Sequence, residues 1–477
     1  MGWIQALGQG GLLTGILCLS LMFSRALAVD EPAFEEVPKS WVEACPAELG
    51  QSCAEFCARW PERTWWLKFG DPILVDYIQK AVSQNHDFKA AAARVLQARA
   101  VVRQAIAQQL PTVSIGPQAF RLGLPNFRRA NNFDIKHISA FSVPLSVSYE
   151  ADIWGKYWNQ TQSARKALRS AEWDLRSAEI VLISEVATAY FNLIRNDAMA
   201  TLQKNYLSNL KEILDLQRAL YTSGLGNLEA VLEAERNYAR AEIDLHAINE
   251  NRAVFAHQLM ILTGEPPKPL DTILRSTVDD IHLPDQFDVG LPIALIARRP
   301  DIQSQEALLR KADIDVRVAR KNFLPTAKFN GLFGFITEDL DTLGSGSGFF
   351  SFIYGNINQP IFQGGKTWAN LRLQQAKQKE QLEHYRQTIL NAFKEVEDSL
   401  KKLRANYEKL GSNQREQAAN VENYTLIQDL YQSGLNSRLN VTEAENLVID
   451  SQNRQASIKM DIAISTVSLY KALGGGY

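Results

Sequence analysis

Carboxylates and tyrosines that recur at one spacing are the residues of this chain with the most chemical promise. Ala219-Leu-Tyr-Thr-Ser-Gly-Leu225 returns as Asp429-Leu-Tyr-Gln-Ser-Gly-Leu435. Each copy runs into an acidic segment, Val231-Leu-Glu-Ala-Glu235 and Val441-Thr-Glu-Ala-Glu445. Gly224 and Gly434 supply the permissive backbone needed to reverse a long helix. Tyr221 and Tyr431 either wedge neighbouring coils or cover the turn. Acidic side chains just past such a turn have two readings. They suit the positive end of a helix macrodipole, or, where several copies converge, they form a cation-attracting constriction.

Other chemistries are absent from the pattern. His86, His137, His246, His257, His282 and His384 are dispersed, without an H-E-x-x-H pairing. Gly344-Ser-Gly-Ser-Gly348 has no phosphate-binding Lys and reads as a flexible loop. Cys45, Cys53 and Cys57 lack a C-x2-C pair and a nearby His, so one disulfide plus one free thiol is expected rather than a metal site. No catalytic residue, metal or cofactor is therefore expected. Lys and Arg number 51 against 53 Asp and Glu, so no net field favours nucleic acid.

The amino terminus reads as a targeting segment. Gly10 to Phe23 is apolar, Arg25 follows, and Ala26-Leu27-Ala28 is a small-x-small site with cleavage after Ala28. Cys18 lies inside the apolar stretch behind Leu17, which does not suit lipidation. Beyond this segment the sequence holds no run of about 20 apolar residues, so helical membrane spans are not expected.

The elements that position the two turns repeat with them. Gly155 and Gly365, Tyr221 and Tyr431, and Gly264 and Gly474 keep one offset of 210 residues. Each unit reads helix, strand, strand, long helix, turn, helix. A first helix is expected from about Pro72 to Gln109, matched by Asp301 to Asn322, each stopped by Leu-Pro. Strands of period two follow: Phe141, Val143, Leu145, Val147 and Tyr149; Ala327, Phe329, Gly331, Phe333 and Phe335; Ile353, Gly355, Ile357 and Ile361; and a weaker one from Val113 to Leu122. Polar connections are expected from Arg121 to His137 and from Thr337 to Gly348. Strands of about 10 residues with one apolar and one small polar face suit a tilted membrane strand. Aromatics at Phe141, Tyr149, Phe349, Phe350, Phe352 and Tyr354 could form interfacial girdles or pack in a core.

From Gly155 to Leu220 there is neither proline nor internal glycine, so one helix of about 65 residues, roughly 100 Å long, is expected. It carries two adjacent apolar stripes, Ile180-Ile183-Ala187-Tyr190-Ile194 and Leu182-Val186-Ala189-Leu193, which suit a stave with a neighbour on each side. Four strands cannot close a barrel, and open edges in lipid leave backbone groups unsatisfied. The chain must pool its strands with copies of itself.

Motifs along nearly all of the mature chain resemble the TolC-type outer-membrane efflux family, most closely its NodT/OprM branch. They include Trp65-Trp66-x-x-Phe69-x-Asp71-Pro72, Ala93-Arg94-Val95-x-Gln97-Ala98-Arg99, Ser148-Tyr149-Glu150-x-Asp152-x-Trp154-Gly155, Arg299-Pro300-Asp301-Ile302, Gln359-Pro360-Ile361-Phe362-x-Gly364-Gly365 and the terminal Leu473-Gly-Gly-Gly476. The resemblance implies a mainly α fold with a transmembrane β-barrel: a homotrimer with twelve strands in outer-membrane lipid and a twelve-helix periplasmic α-barrel. It implies docking to a periplasmic adaptor and, through it, to an inner-membrane pump of RND or ABC type. The two turns would form the periplasmic tip, with Glu443 and Asn440, matched by Glu233 and Ala230, at the closing ring. Arg438, read from the sequence alone, either braces the tip through a salt bridge or is simply exposed. Many members of that branch are lipoproteins, and here a cleavage site stands instead.

The expected organisation is a signal peptide over 1–28, an extension with the Cys cluster over 29–70, repeats over 71–270 and 291–477, and a linker over 271–290. The expected function is a passive exit duct of a tripartite efflux pump for small molecules and drugs. A type I secretion channel and a non-transporting coiled-coil envelope protein are the alternatives, and a cytosolic helical scaffold is disfavoured by the targeting segment.

Overall fold

The computed structural model describes residues 63–123, 137–284, 292–342 and 348–476. The targeting segment, Ala28 and Cys45, Cys53 and Cys57 lie outside the described residues. Two short helices, α1 (Pro72–Gln84) and α2 (His86–Ala107), precede the strands β1 (Thr112–Ile115), β2 (Gln118–Gly123) and β3 (His137–Ala151). Next come the long helix α3 (Lys156–Thr222) and its return α4 (Leu228–Leu262). The second half repeats the order with α5 (Pro292–Arg298), α6 (Pro300–Lys321), β4 (Thr326–Thr337), β5 (Phe349–Asn358), α7 (Lys366–Gln432) and α8 (Arg438–Ala472).

Both long helices have 67 residues and both returns 35. The expected single helix from Pro72 to Gln109 is instead two. Asn85 leaves the helical region at ψ 130°, accepts from Phe88 N–H and donates to the Leu262 carbonyl, so one side chain ends α1, caps α2 and ties both to α4. The matching segment, Asp301 to Asn322, is one helix as expected, and Pro300 at its first turn separates it from the short α5 before it.

All strands form one antiparallel sheet, in which β3 pairs with β1, β2 and β4, and β4 pairs with β5. The expected strand from Val113 to Leu122 is interrupted at Gly116-Pro117, where proline has no N–H for the ladder. Both pieces lie along β3, so the sheet is four lanes wide. Ile361 falls outside β5, which ends at Asn358. Arg121 and His137 belong to strands, and residues 124–136 between them are not described.

Register aligns Val147, Gly331 and Ile353 across one face, and likewise Leu145 with Phe333, Val143 with Phe335 and Phe349, Tyr149 with Phe329, and Ala327 with Ile357. Phe141 also lies on this apolar face. From Phe141 to Ala151 the strand covers about 33 Å, which at a tilt near 40° matches an apolar band about 25 Å tall. The other face carries Ser142, Ser146, Ser148, Asn330 and the Lys328–Glu150 ion pair. It also carries Phe350, Phe352 and Tyr354, so of the β5 aromatics only Phe349 lies on the apolar face.

The helices stand four abreast at each level. Beside the strands the order is α2–α3–α6–α7, and toward the turns it is α4–α3–α8–α7. Helix α3, with its two stripes, is an inner stave throughout. Where its stripes are richest, Val186, Ala187, Tyr190, Phe191 and Leu193 are buried with Trp65, Phe69, Leu74 and Tyr470. By length and composition α3 is apolar enough to cross a membrane, contrary to the sequence expectation, but this core accounts for the apolar segment, 56% of which is buried.

Polar ties hold the belt. Asp71 caps α1 and accepts from the Tyr190 hydroxyl at 2.5 Å, while that hydroxyl accepts from Ser276 N–H at 3.1 Å. Burial, with the adjoining Asp71 carboxylate, pushes the Tyr190 hydroxyl pKa well up. Arg299, 8% exposed, donates to Asp301, Glu395 and the Ala472 carbonyl, fastening the end of α8 to α6 and α7.

Candidate functional site: the helical tip

Each long helix reverses through the same geometry. Leu225 N–H donates to the Leu220 carbonyl at 2.9 Å and Gly224 N–H to the Tyr221 carbonyl at 3.0 Å. Leu435 with Leu430 and Gly434 with Tyr431 repeat this pair of bonds, both at 2.9 Å. Bonds of this order satisfy carbonyls that a helix end leaves open, and they require a left-handed residue. Gly224 and Gly434 occupy that conformation at φ 78° and 74°. Asn227 and Ser437 then cap α4 and α8 by accepting from Ala230 and Asn440 N–H.

The structure brings some of the expected tip residues together and leaves others apart. Tyr221 and Tyr431 are each more than two-fifths exposed, so neither is absorbed into its own hairpin. Glu233 pairs at 3.0 Å with Arg236 on its own helix. Asn440 donates from its side chain to Asn436. Glu443 is exposed on the early turns of α8.

Arg438 is the residue with reach. Its Nε donates to Glu212 Oε1 at 2.6 Å and its Nη2 to Oε2 at 3.1 Å, joining α8 to α3 across 226 positions. Donation by Arg438 holds the Glu212 carboxyl below the usual carboxylate range. Sequence reasoning passed over Glu212, a mid-helix Glu among many. Its one available signal was Arg438, which replaces the matching Leu228 of the first copy and so needs a partner. Neighbouring polar contacts, Asn209 with Asn446 at 3.1 Å and Arg195 with Asp461 at 3.0 Å, continue the α3–α8 seam away from the tip. Among the described residues no cluster of His, Cys, Asp and Glu could hold a metal.

A membrane-faced sheet continued by helical staves with a re-entrant tip defines an outer-membrane channel. The outer membrane efflux protein model matches residues 77–265 and 291–475, and the chain belongs to that family. It is 30% identical over 420 residues to the pyoverdine export outer membrane protein OpmQ of Pseudomonas aeruginosa, covering 87% of this chain and 88% of that one. It is 31% identical over 411 residues to the solvent efflux pump outer membrane protein SrpC of Pseudomonas putida, covering 86% of each. The fold matches the Campylobacter jejuni CmeC outer membrane channel at a TM-score of 0.83 and 24% identity, covering 93% of both chains. The chain is thus an outer-membrane efflux channel, with helices reaching into the periplasm.

Proposed function

We propose that three copies of this chain close into one duct, with twelve strands in the outer membrane and twelve staves below it. One observation carries the reading: the protomer is a strip with an unpaired flank on each side at every level. Among the described residues, β1 and β2 leave one sheet edge open and β5 the other. α2 and α4 flank one side of the helical layer and α7 the other. These flanking helices expose Leu96 and Val101, Ile243 and Ile261, and Leu373 and Leu390. By contrast α6 exposes no large apolar residue and α8 only Leu447. Two different flanks make a head-to-tail contact, which gives a ring when the rotation between copies closes, as lipid-exposed sheet edges demand.

The duct is passive. It docks a periplasmic adaptor and, through it, an RND- or ABC-type pump that supplies the energy. The relatives' named roles, export of pyoverdine and of solvents, favour small molecules as cargo. Cleavage after Ala28 and repeats over 71–270 and 291–477 belong to the same reading. At the tip, Arg438 clamps α8 to α3 through Glu212, and three Glu443 carboxylates narrow and charge the opening. Tyr221, Gly224, Glu233, Tyr431, Gly434 and Asn440 shape the turns around it. Single-channel recording tests this. Glu443→Ala is expected to lower cation preference and alter conductance, and unchanged values would remove Glu443 from the gate.

A further inference from the structure

Register sorts three of the four aromatic residues of β5 onto a face where a lipid barrel does not need them. On the face of Lys328 and Glu150, cross-strand layers run from Asn330–Tyr354 to Leu332–Phe352 and Gly334–Phe350, moving from the helices toward the loops. Phe352 is 58% exposed and Tyr354 46%, with ring centroids 5.3 Å apart. A Lys–Glu pair is costly in hydrocarbon and the opposite face is the apolar one, so this face is the inner wall. β5 is an edge strand, and a neighbouring copy extends a sheet in its own plane, leaving its faces uncovered.

We propose that Leu332, Phe350, Phe352 and Tyr354 form an aromatic contact band on the inner wall, from mid-strand toward the loops, that engages the flat apolar faces of aromatic solutes in transit. The band rests on the closure argued above. At its lower edge Tyr354 lies level with Ser148 and Asn330, hydrogen-bonded at 2.9 Å, and below them the same face carries Lys328, Glu150 and Asn356. Solutes therefore pass from a wetted wall to an aromatic one before leaving. Aromatic rings exposed to water stack on a planar apolar partner and gain more from it than from an aliphatic ion of equal charge.

Two aromatic and aliphatic probes of equal charge, tetraphenylphosphonium and tetraethylammonium, test the band by block of ionic current through the full-length protein in planar bilayers. Block by the aromatic ion is expected at roughly tenfold lower concentration. The Phe352→Ser/Tyr354→Ser double variant is expected to abolish the difference, and an unchanged ratio overturns the proposal. A second measurement does not depend on that variant. In a chain whose four native cysteines are Ser, Phe352→Cys is expected to react with a membrane-impermeant thiol reagent and Ile353→Cys to resist it. The reverse pattern, or protection of both by a neighbouring segment, overturns the band. Monomers that pass no current would remove closure and band together, whereas conducting trimers indifferent to the probes would remove the band alone.

Discussion

Arg438 and Glu212 form a two-point contact that is accessible to water, each side chain about two-fifths exposed. Such a pair contributes under about 1 kcal/mol, which suits a clamp that must open. Because the bound Glu212 carboxyl titrates below its ordinary value near about 4.3, the contact is fully present above that pH. It is lost as pH falls through the lowered value. Single-channel conductance of the wild type is therefore expected to rise on acidification to below the usual carboxylate range. Glu212→Gln and Arg438→Ala should show the raised conductance already at neutral pH and lose the acid response. Arg299 is the contrasting case, buried and donating to Asp301, Glu395 and a helix-end carbonyl. Arg299→Leu leaves Asp301 and Glu395 to water and strands the Ala472 carbonyl, and thermal unfolding should report a loss of about 1–3 kcal/mol.

Hairpin turns show what one residue imposes on an element. A Cβ on Gly224 would meet nothing within 4 Å, so the cost of Gly224→Ala comes from φ +78° alone. About 1–2 kcal/mol is expected, seen as faster proteolytic nicking at the tip, with Gly224→Asn milder. Helix α3 was legible because no proline or glycine interrupts Lys156–Thr222 and its stripes keep helical phase. The break at Asn85 was not, since Asn is tolerated within helices and its role depends on the Leu262 carbonyl, 177 positions away. Gly116-Pro117 was an available signal for splitting the first strand, overlooked because the flanking residues keep extended character.

At the scale of the whole chain, apolar exposure lies on the strands and, among the helices, mainly on the flanking α2, α4 and α7, where a second copy must cover it. Leu373→Lys/Leu390→Lys on α7 is expected to yield monomers by light scattering in detergent while circular dichroism keeps its helical signal. Persistent trimers would mean that α7 does not line the joint. The four-abreast arrangement also explains why α3 bears two stripes and α7 exposes so much: one is an inner stave, the other waits for a neighbour.

Periodicity, repetition and punctuation by proline and glycine determined the element types, the duplicated plan and the re-entrant turns, because each is a local property of backbone and hydration. Only tertiary structure decided that Glu212 meets Arg438 and that Phe352 and Tyr354 share a face with Lys328. Side chains alternate along a strand, so a one-residue change of register exchanges inner for outer wall. Contacts across more than two hundred positions depend on how staves lie side by side, which no local pattern encodes.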